Sequence, residues 1–228
     1  MASTPHAVHV EGLTRSFGGR PVIDGLRLDV QPGEFVALLG RGGCGKSTLL
    51  RVLVGLDRDI SGTVLVPRRK AVVFQAPRPM PWKRVWRNLL LGLPDRLDRT
   101  RAERALTEAD PERGSGPELL LLDEPFGALG GPARIKARRL VGELWQRRGC
   151  AVLLATHDVE KALLLADRVL VMDAGVITYE TPVGLDRPRD LADPRFTELR
   201  ARLAVRLRAD AASLSPGRSD APCPLVEA

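Results

Sequence analysis

No apolar run in these 228 residues approaches the roughly 18 that a membrane-crossing helix needs, which argues against a spanning protein. Cysteine is scarce: Cys44, Cys150 and Cys223 lie far apart. They form neither a disulfide framework nor a metal-ligand spacing, and suit a reducing compartment. Aromatics are few, with one Tyr, five Phe and three Trp, and they are not interleaved with the basic residues. The net charge of +7, from 35 Lys and Arg against 28 Asp and Glu, therefore lacks the base-stacking partners that nucleic acid calls for. It reads instead as solvated basic faces on a protein working near a membrane. Met1 to His6 has neither the charged nor the apolar region of a secretory leader, so the expected location is the cytoplasm.

What is present is a phosphate loop. Gly40-Arg41-Gly42-Gly43-Cys44-Gly45-Lys46-Ser47-Thr48 fits GxxxxGK[ST], between the apolar run 35–39 and the helical pattern 49–53. Glycines let successive backbone N–H groups converge on one anion, a helix N-terminus adds partial positive charge, and Lys46 adds a full one. Ser47 can offer its hydroxyl to Mg²⁺. A second run, Leu119-Leu120-Leu121-Leu122, reads as a strand buried on both faces and ends in Asp123-Glu124. An acid at such a strand end can hold the metal, and its neighbour can orient water.

Around these lie an amino-terminal pair of antiparallel strands, 8–13 and 22–30, and two further strands at 63–66 and 71–74. Phe17, at the turn between the first pair, either stacks on an adenine ring or closes the small sheet; position alone favours packing. The strand 71–74 runs into Gln75, and then into a proline-rich loop that carries Met80 and Trp82. A helix from Pro132 places Ala137, Leu140, Val141 and Leu144 on one face. Buried strand 151–156 leads to His157-Asp158, with Asp158 as cap of the helix 159–166. A hairpin follows over 169–178, then a basic helix from about 196 to 208. A polar tail over 209–228 has too little apolar surface to fold, and is expected to be disordered. Cys44 reads as a small residue that fits its loop, although a thiol at a helix start is also a reactive one.

These motifs in this order resemble the ATP-binding subunits of ABC transporters: the P-loop, the strand-end Gln75, 119–124 and Thr156-His157-Asp158 match that family's Walker A, Q-loop, Walker B and H-loop. Within the family, Val73-Phe74-Gln75-Ala76-Pro77-Arg78, Pro81-Trp82 and Arg187-Pro188-Arg189 look like the nitrate, taurine and aliphatic-sulfonate importer branch. The resemblance implies an α/β fold: a P-loop NTPase core with a mostly parallel sheet flanked by helices, a small antiparallel amino-terminal sheet, and a helical subdomain. One nucleotide-binding domain would span 1–208. ATP and Mg²⁺ are the implied ligands. Lys46 would contact the β- and γ-phosphates within the cradle Gly40, Gly42, Gly43, Cys44, Gly45, Ser47 and Thr48. Ser47 and Asp123 would hold Mg²⁺ with Gln75, which also senses the γ-phosphate. Glu124 would polarise the attacking water, His157 would touch the γ-phosphate, and Phe17 would stack on adenine.

The implied partners are a membrane permease meeting the loop Gln75 to Trp82, a second ATP-binding subunit of the same or another kind, and indirectly a periplasmic binding protein. The implied place is the inner face of the cell membrane, and the implied cargo an organic sulfonate or similar anion. Three departures stand out. No Leu-Ser-Gly-Gly-Gln signature or near variant precedes the Walker B strand, and the chain passes from Leu106 through 113–116 to Pro117 as if much of the helical subdomain, about 86–117, were excised. Gly130 stands where the family's D-loop has Asp, and Gly42 where its P-loop often has Ser. A degenerate, non-hydrolysing nucleotide-binding protein on a permease is the alternative expectation. The leucines at 89–91 and Leu93 are expected to be poorly covered.

Overall fold

A computed structural model describes residues 6–74, 117–126 and 131–212. Two sheets organise them. The smaller is antiparallel, order β2-β1-β4, from β1 (Val8–Phe17), β2 (Arg20–Val30) and β4 (Ser61–Leu65). The larger has order β5-β6-β7-β3-β8-β9, from β3 (Phe35–Leu39), β5 (Lys70–Val73), β6 (Leu119–Asp123), β7 (Ala151–Thr156), β8 (Arg168–Asp173) and β9 (Val176–Pro182). All its pairings are parallel except the β8–β9 hairpin. The helices are α1 (Lys46–Val54), α2 (Gly131–Arg148), α3 (Val159–Leu165) and α4 (Pro194–Ala212).

The alternation of strand side chains explains the layering. Val36 and Leu38 of β3 face one core, with α1 and the inner face of the small sheet. Phe35, Ala37 and Leu39 face a second core, built with α3, α4 and partly buried residues of α2. Central strands β3, β6 and β7 are therefore apolar on both faces, as their unbroken hydrophobic runs require. The carboxyl end of α3 is closed by the Arg-Pro-Arg tripeptide. Arg187 donates to Leu165 O at 2.6 Å and Arg189 to Ala166 O at 2.6 Å, satisfying carbonyls that the helix leaves open. Burial and the neighbouring Arg187 charge push Arg189 down to about 10.

Some expectations change. The strands foreseen at 63–66 and 71–74 form at 61–65 and 70–73, in different sheets: β4 joins the small sheet and β5 edges the large one. The first turn is only Gly18-Gly19, with Phe17 and Arg20 paired across it at the strand ends. On α2, Ala137, Val141 and Trp145 pack on the core, whereas Leu140 is exposed. The true row is i, i+4, and Trp145 is fixed by donating from its indole N–H to Gly33 O at 2.9 Å. Gln75, Met80, Trp82, the leucines at 89–93, the rest of the stretch 86–116 and the tail beyond 212 lie outside the described residues.

Candidate functional site

Strand order decides the site. β7 lies between β3, which leads into the phosphate loop, and β6, which ends in Asp123. Register sets Leu39 beside Thr156 and Asp123 beside Ala155, so three loops emerge together at the carboxyl edge of the parallel sheet. A cavity of about 470 Å³ opens there. Its wall takes Gly42, Gly43, Gly45, Lys46, Ser47 and Thr48 from the loop and helix start, Asp123 and Glu124 from β6, His157 from β7, and Phe17 from the hairpin. Ten of the residues singled out in the sequence thus share one chamber.

Gly45 is the αL residue that starts α1, with φ of 108°. A Cβ there would lie 2.8 Å from Val22 O and 2.9 Å from Met172 Cε, so both the conformation and the space demand glycine. Gly40 and Cys44 sit behind the cavity. A Cβ at Gly40 would lie 2.5 Å from Cys44 Sγ, and Cys44 is buried, so its thiol packs inward as a small residue that fits.

Lys46 is only 9% exposed. Its ammonium donates to Gly40 O at 2.8 Å and Arg41 O at 2.9 Å, with Cys44 Sγ at 3.6 Å. The loop is thereby closed on itself by its own cation.

Asp123 is 4% exposed and Glu124 7%. Burial pushes Asp123 above the usual carboxylate range; a hydrogen bond from Ser47 opposes this, Glu124's charge adds to it, and Lys46 and Arg51 oppose it. Ser47 and Asp123 therefore place a hydroxyl and a carboxylate oxygen in contact, a donor set suited to a hard cation that keeps water and phosphate oxygens as its other ligands. Among the described residues no group of three or more His, Cys, Asp or Glu forms a cage.

Glu124 has φ of 44°, uncommon for a residue with a side chain. Its backbone N–H donates to Ala155 O at 3.0 Å. Its carboxylate accepts from Thr156 Oγ1 at 3.1 Å, from the His157 backbone N–H at 2.7 Å and from His157 Nδ1 at 2.5 Å. An ionised carboxylate can only accept, so Nδ1 carries a proton in this contact. His157 is 70% exposed at its side chain.

One residue on the wall, Arg51, and one outside it, Thr156, have roles that the sequence reading did not assign. Arg51 lies one helical turn after Ser47 on α1, a spacing that could have revealed it. Thr156 anchors Glu124 only because β7 pairs with β6, which no local pattern announces.

A family model described as "ABC transporter" matches residues 23–113. The chain is 69% identical to the aliphatic sulfonates import ATP-binding protein SsuB 1 of Streptomyces avermitilis, over 91% of this chain and 88% of that one. It is 60% identical to SsuB 2 of Paracoccus denitrificans, over 88% and 91%. The first alignment runs over 230 positions, while 91% of 228 residues is about 207, so about 23 positions of that relative have no counterpart here. Among solved structures, the dimeric bacterial ABC transporter cassette MJ0796 superposes with a TM-score of 0.65 at 21% identity, covering 78% of this chain and all of that one. The cassette cbiO1 of Clostridium perfringens gives 0.63 at 21%, covering 91% and 98%. These two share the fold.

Proposed function

The chain belongs to the ABC transporter ATP-binding proteins, and from that premise we propose that it couples ATP binding and hydrolysis to import of an organic sulfonate or similar anion through a membrane permease. The observation that carries the proposal is the convergence of Lys46, Ser47, Asp123, Glu124 and His157 on one cavity. In this reading Lys46 turns from its loop carbonyls to the β- and γ-phosphates. The amides of Gly42, Gly43, Gly45 and Thr48 orient the chain of phosphates, and Ser47 with Asp123 would hold Mg²⁺. The metal, when bound, neutralises charge across the β- and γ-phosphates. Glu124 takes the proton of an attacking water, and His157 contacts the γ-phosphate. Phe17 stacks on adenine, and Gln75 senses the γ-phosphate and reports to the permease.

The domain would span 1–208 with an incomplete helical subdomain. The roughly 23 unmatched positions and the missing Leu-Ser-Gly-Gly-Gln signature support that reading. In the family the signature of one subunit completes the ATP site of the other. Losing such donors costs several kcal/mol of transition-state stabilisation, roughly a hundredfold or more in rate. Hydrolysis therefore depends on a second ATP-binding subunit, and the place of work is the cytoplasmic face of the membrane beside the permease. A degenerate, non-hydrolysing protein draws no support from the sulfonate-import relatives.

The test is nucleotide titration followed by steady-state phosphate release, alone and with permease and partner subunit. Binding with partner-dependent release is expected. Binding without release in every assembly would overturn the enzymatic reading.

A further inference from the structure

The hairpin carries an arrangement that the phosphate site does not use. Arg15 and Phe17, two apart on β1, lie on the same side of the strand. The guanidinium carbon of Arg15 sits 4.0 Å from the centroid of the Phe17 ring. Phe17 walls the cavity and is 48% exposed, while Arg15 is not among the described residues that line it. The cation therefore covers one face of a ring that walls the cavity.

That cation is itself held. Arg15 Nε donates to Asp57 Oδ2 at 2.9 Å, and Nη1 donates to Asp59 Oδ2 at 2.6 Å and to Ser16 O at 2.6 Å. Its side chain is only 12% exposed. Asp57 and Asp59 follow α1 directly, the helix whose start is the phosphate loop. One chain of contacts thus runs from the phosphate helix, through two carboxylates and a guanidinium, to the aromatic platform. Behind the platform the turn Gly18-Gly19 has φ of 54° and 77°, both left-handed, and Phe17 pairs with Arg20 across it.

We propose that Arg15 is the positioning residue for base recognition: clamped by Asp57 and Asp59, it backs the Phe17 ring so that the opposite face is preset to stack on a purine. The proposal rests on the reading of Phe17 as the adenine platform. Two effects act together. A guanidinium over one face draws electron density from the ring and favours an electron-rich base on the other. Fixing the rotamer beforehand removes an ordering cost from binding.

The test compares MgATP with Mg-tripolyphosphate, which carries phosphates and no base, by calorimetric titration of the full chain. Phe17→Ala should weaken MgATP by about fivefold to a hundredfold and leave tripolyphosphate unchanged. Arg15→Gln should weaken MgATP by about threefold to tenfold, again without changing tripolyphosphate, and Arg15→Lys should recover part of the loss. Added to Phe17→Ala, Arg15→Gln should have no further effect. Equal losses for both ligands, or full additivity of the two substitutions, would assign Arg15 a structural role only. If Phe17→Ala leaves MgATP affinity unchanged, the platform reading fails; if it weakens MgATP and Arg15→Gln does not, only the Arg15 inference fails. Should Arg15→Gln not fold, Asp59→Ala removes one bond of the clamp at a carboxylate 88% exposed. It should shift MgATP alone, by a smaller factor, and no base-selective shift would overturn the proposal.

Discussion

Lys46→Ala separates two roles of one ammonium. Without nucleotide that group is 9% exposed and donates to two loop carbonyls, so its removal leaves Gly40 O and Arg41 O without their donor. The cost to the nucleotide-free protein is about 1–3 kcal/mol, because unmet acceptors in a buried loop keep their desolvation penalty. With nucleotide the same ammonium meets phosphate oxygens, and a hydrogen bond between charged groups contributes about 1.5–3 kcal/mol. The dissociation constant should rise by about tenfold to a hundredfold, taking 1.4 kcal/mol per decade.

The assay is thermal unfolding with and without MgATP at a hundred times the wild-type dissociation constant. Ligand then stabilises the wild type by about 2.7 kcal/mol, a rise of about 5–10 °C for a chain of this size. For a thirtyfold weaker variant the same concentration contributes only about 0.9 kcal/mol, a rise of about 2–4 °C. The two effects are distinguishable, since the first lowers the baseline Tm and the second shrinks the ligand-induced shift. An undiminished shift in Lys46→Ala would refute the assignment of Lys46 to the phosphates, whatever happened to the baseline.

Two further outcomes follow from the buried acids. Asp123 has its pKa raised by burial and by Glu124, so the folded protein keeps that proton to higher pH than the unfolded chain does. Its contribution to stability is full below the ordinary carboxylate range and is lost as pH rises through the raised value. Asp123→Asn should therefore raise the nucleotide-free Tm at neutral pH, flatten its pH dependence and abolish the Mg²⁺ dependence of ATP binding; a lower Tm at neutral pH would contradict this. Asp158 caps α3 by accepting from the Lys161 backbone N–H at 3.1 Å, and pairs with Lys161 Nζ at 2.9 Å. Burial alone would raise its pKa, but the bonds and charge of Lys161 outweigh burial and hold it below the usual range. Its stabilisation is present at neutral pH and lost as pH falls through the lowered value. Asp158→Ala should cost about 1–2 kcal/mol at pH 7 and little at pH 2, read from denaturant unfolding at the two values.

Local chemistry made much of the site readable. The glycine spacing ahead of Lys46, the apolar run that stops at Asp123, and the cap at Asp158 each draw on neighbours within a few residues, and each stands where the sequence put it. The helical row on α2 was less readable: Leu140 and Trp145 are both apolar, and only the large sheet beneath them selects Trp145, through the carbonyl of Gly33 and the edge of Phe35.

What the sequence by itself determined is therefore the set of chemical groups: a phosphate loop, two carboxylates, a histidine and a Phe17 that position alone assigned to packing. Tertiary structure decided their meeting. Insertion of β7 between β3 and β6 brings Thr156 and His157 against Glu124, and the separation of β4 from β5 into different sheets carries Asp57 and Asp59 to Arg15. It also turned Phe17 outward onto the cavity. Pairing between strands joins residues tens of positions apart, and periodicity within one segment holds no record of its neighbour in the sheet.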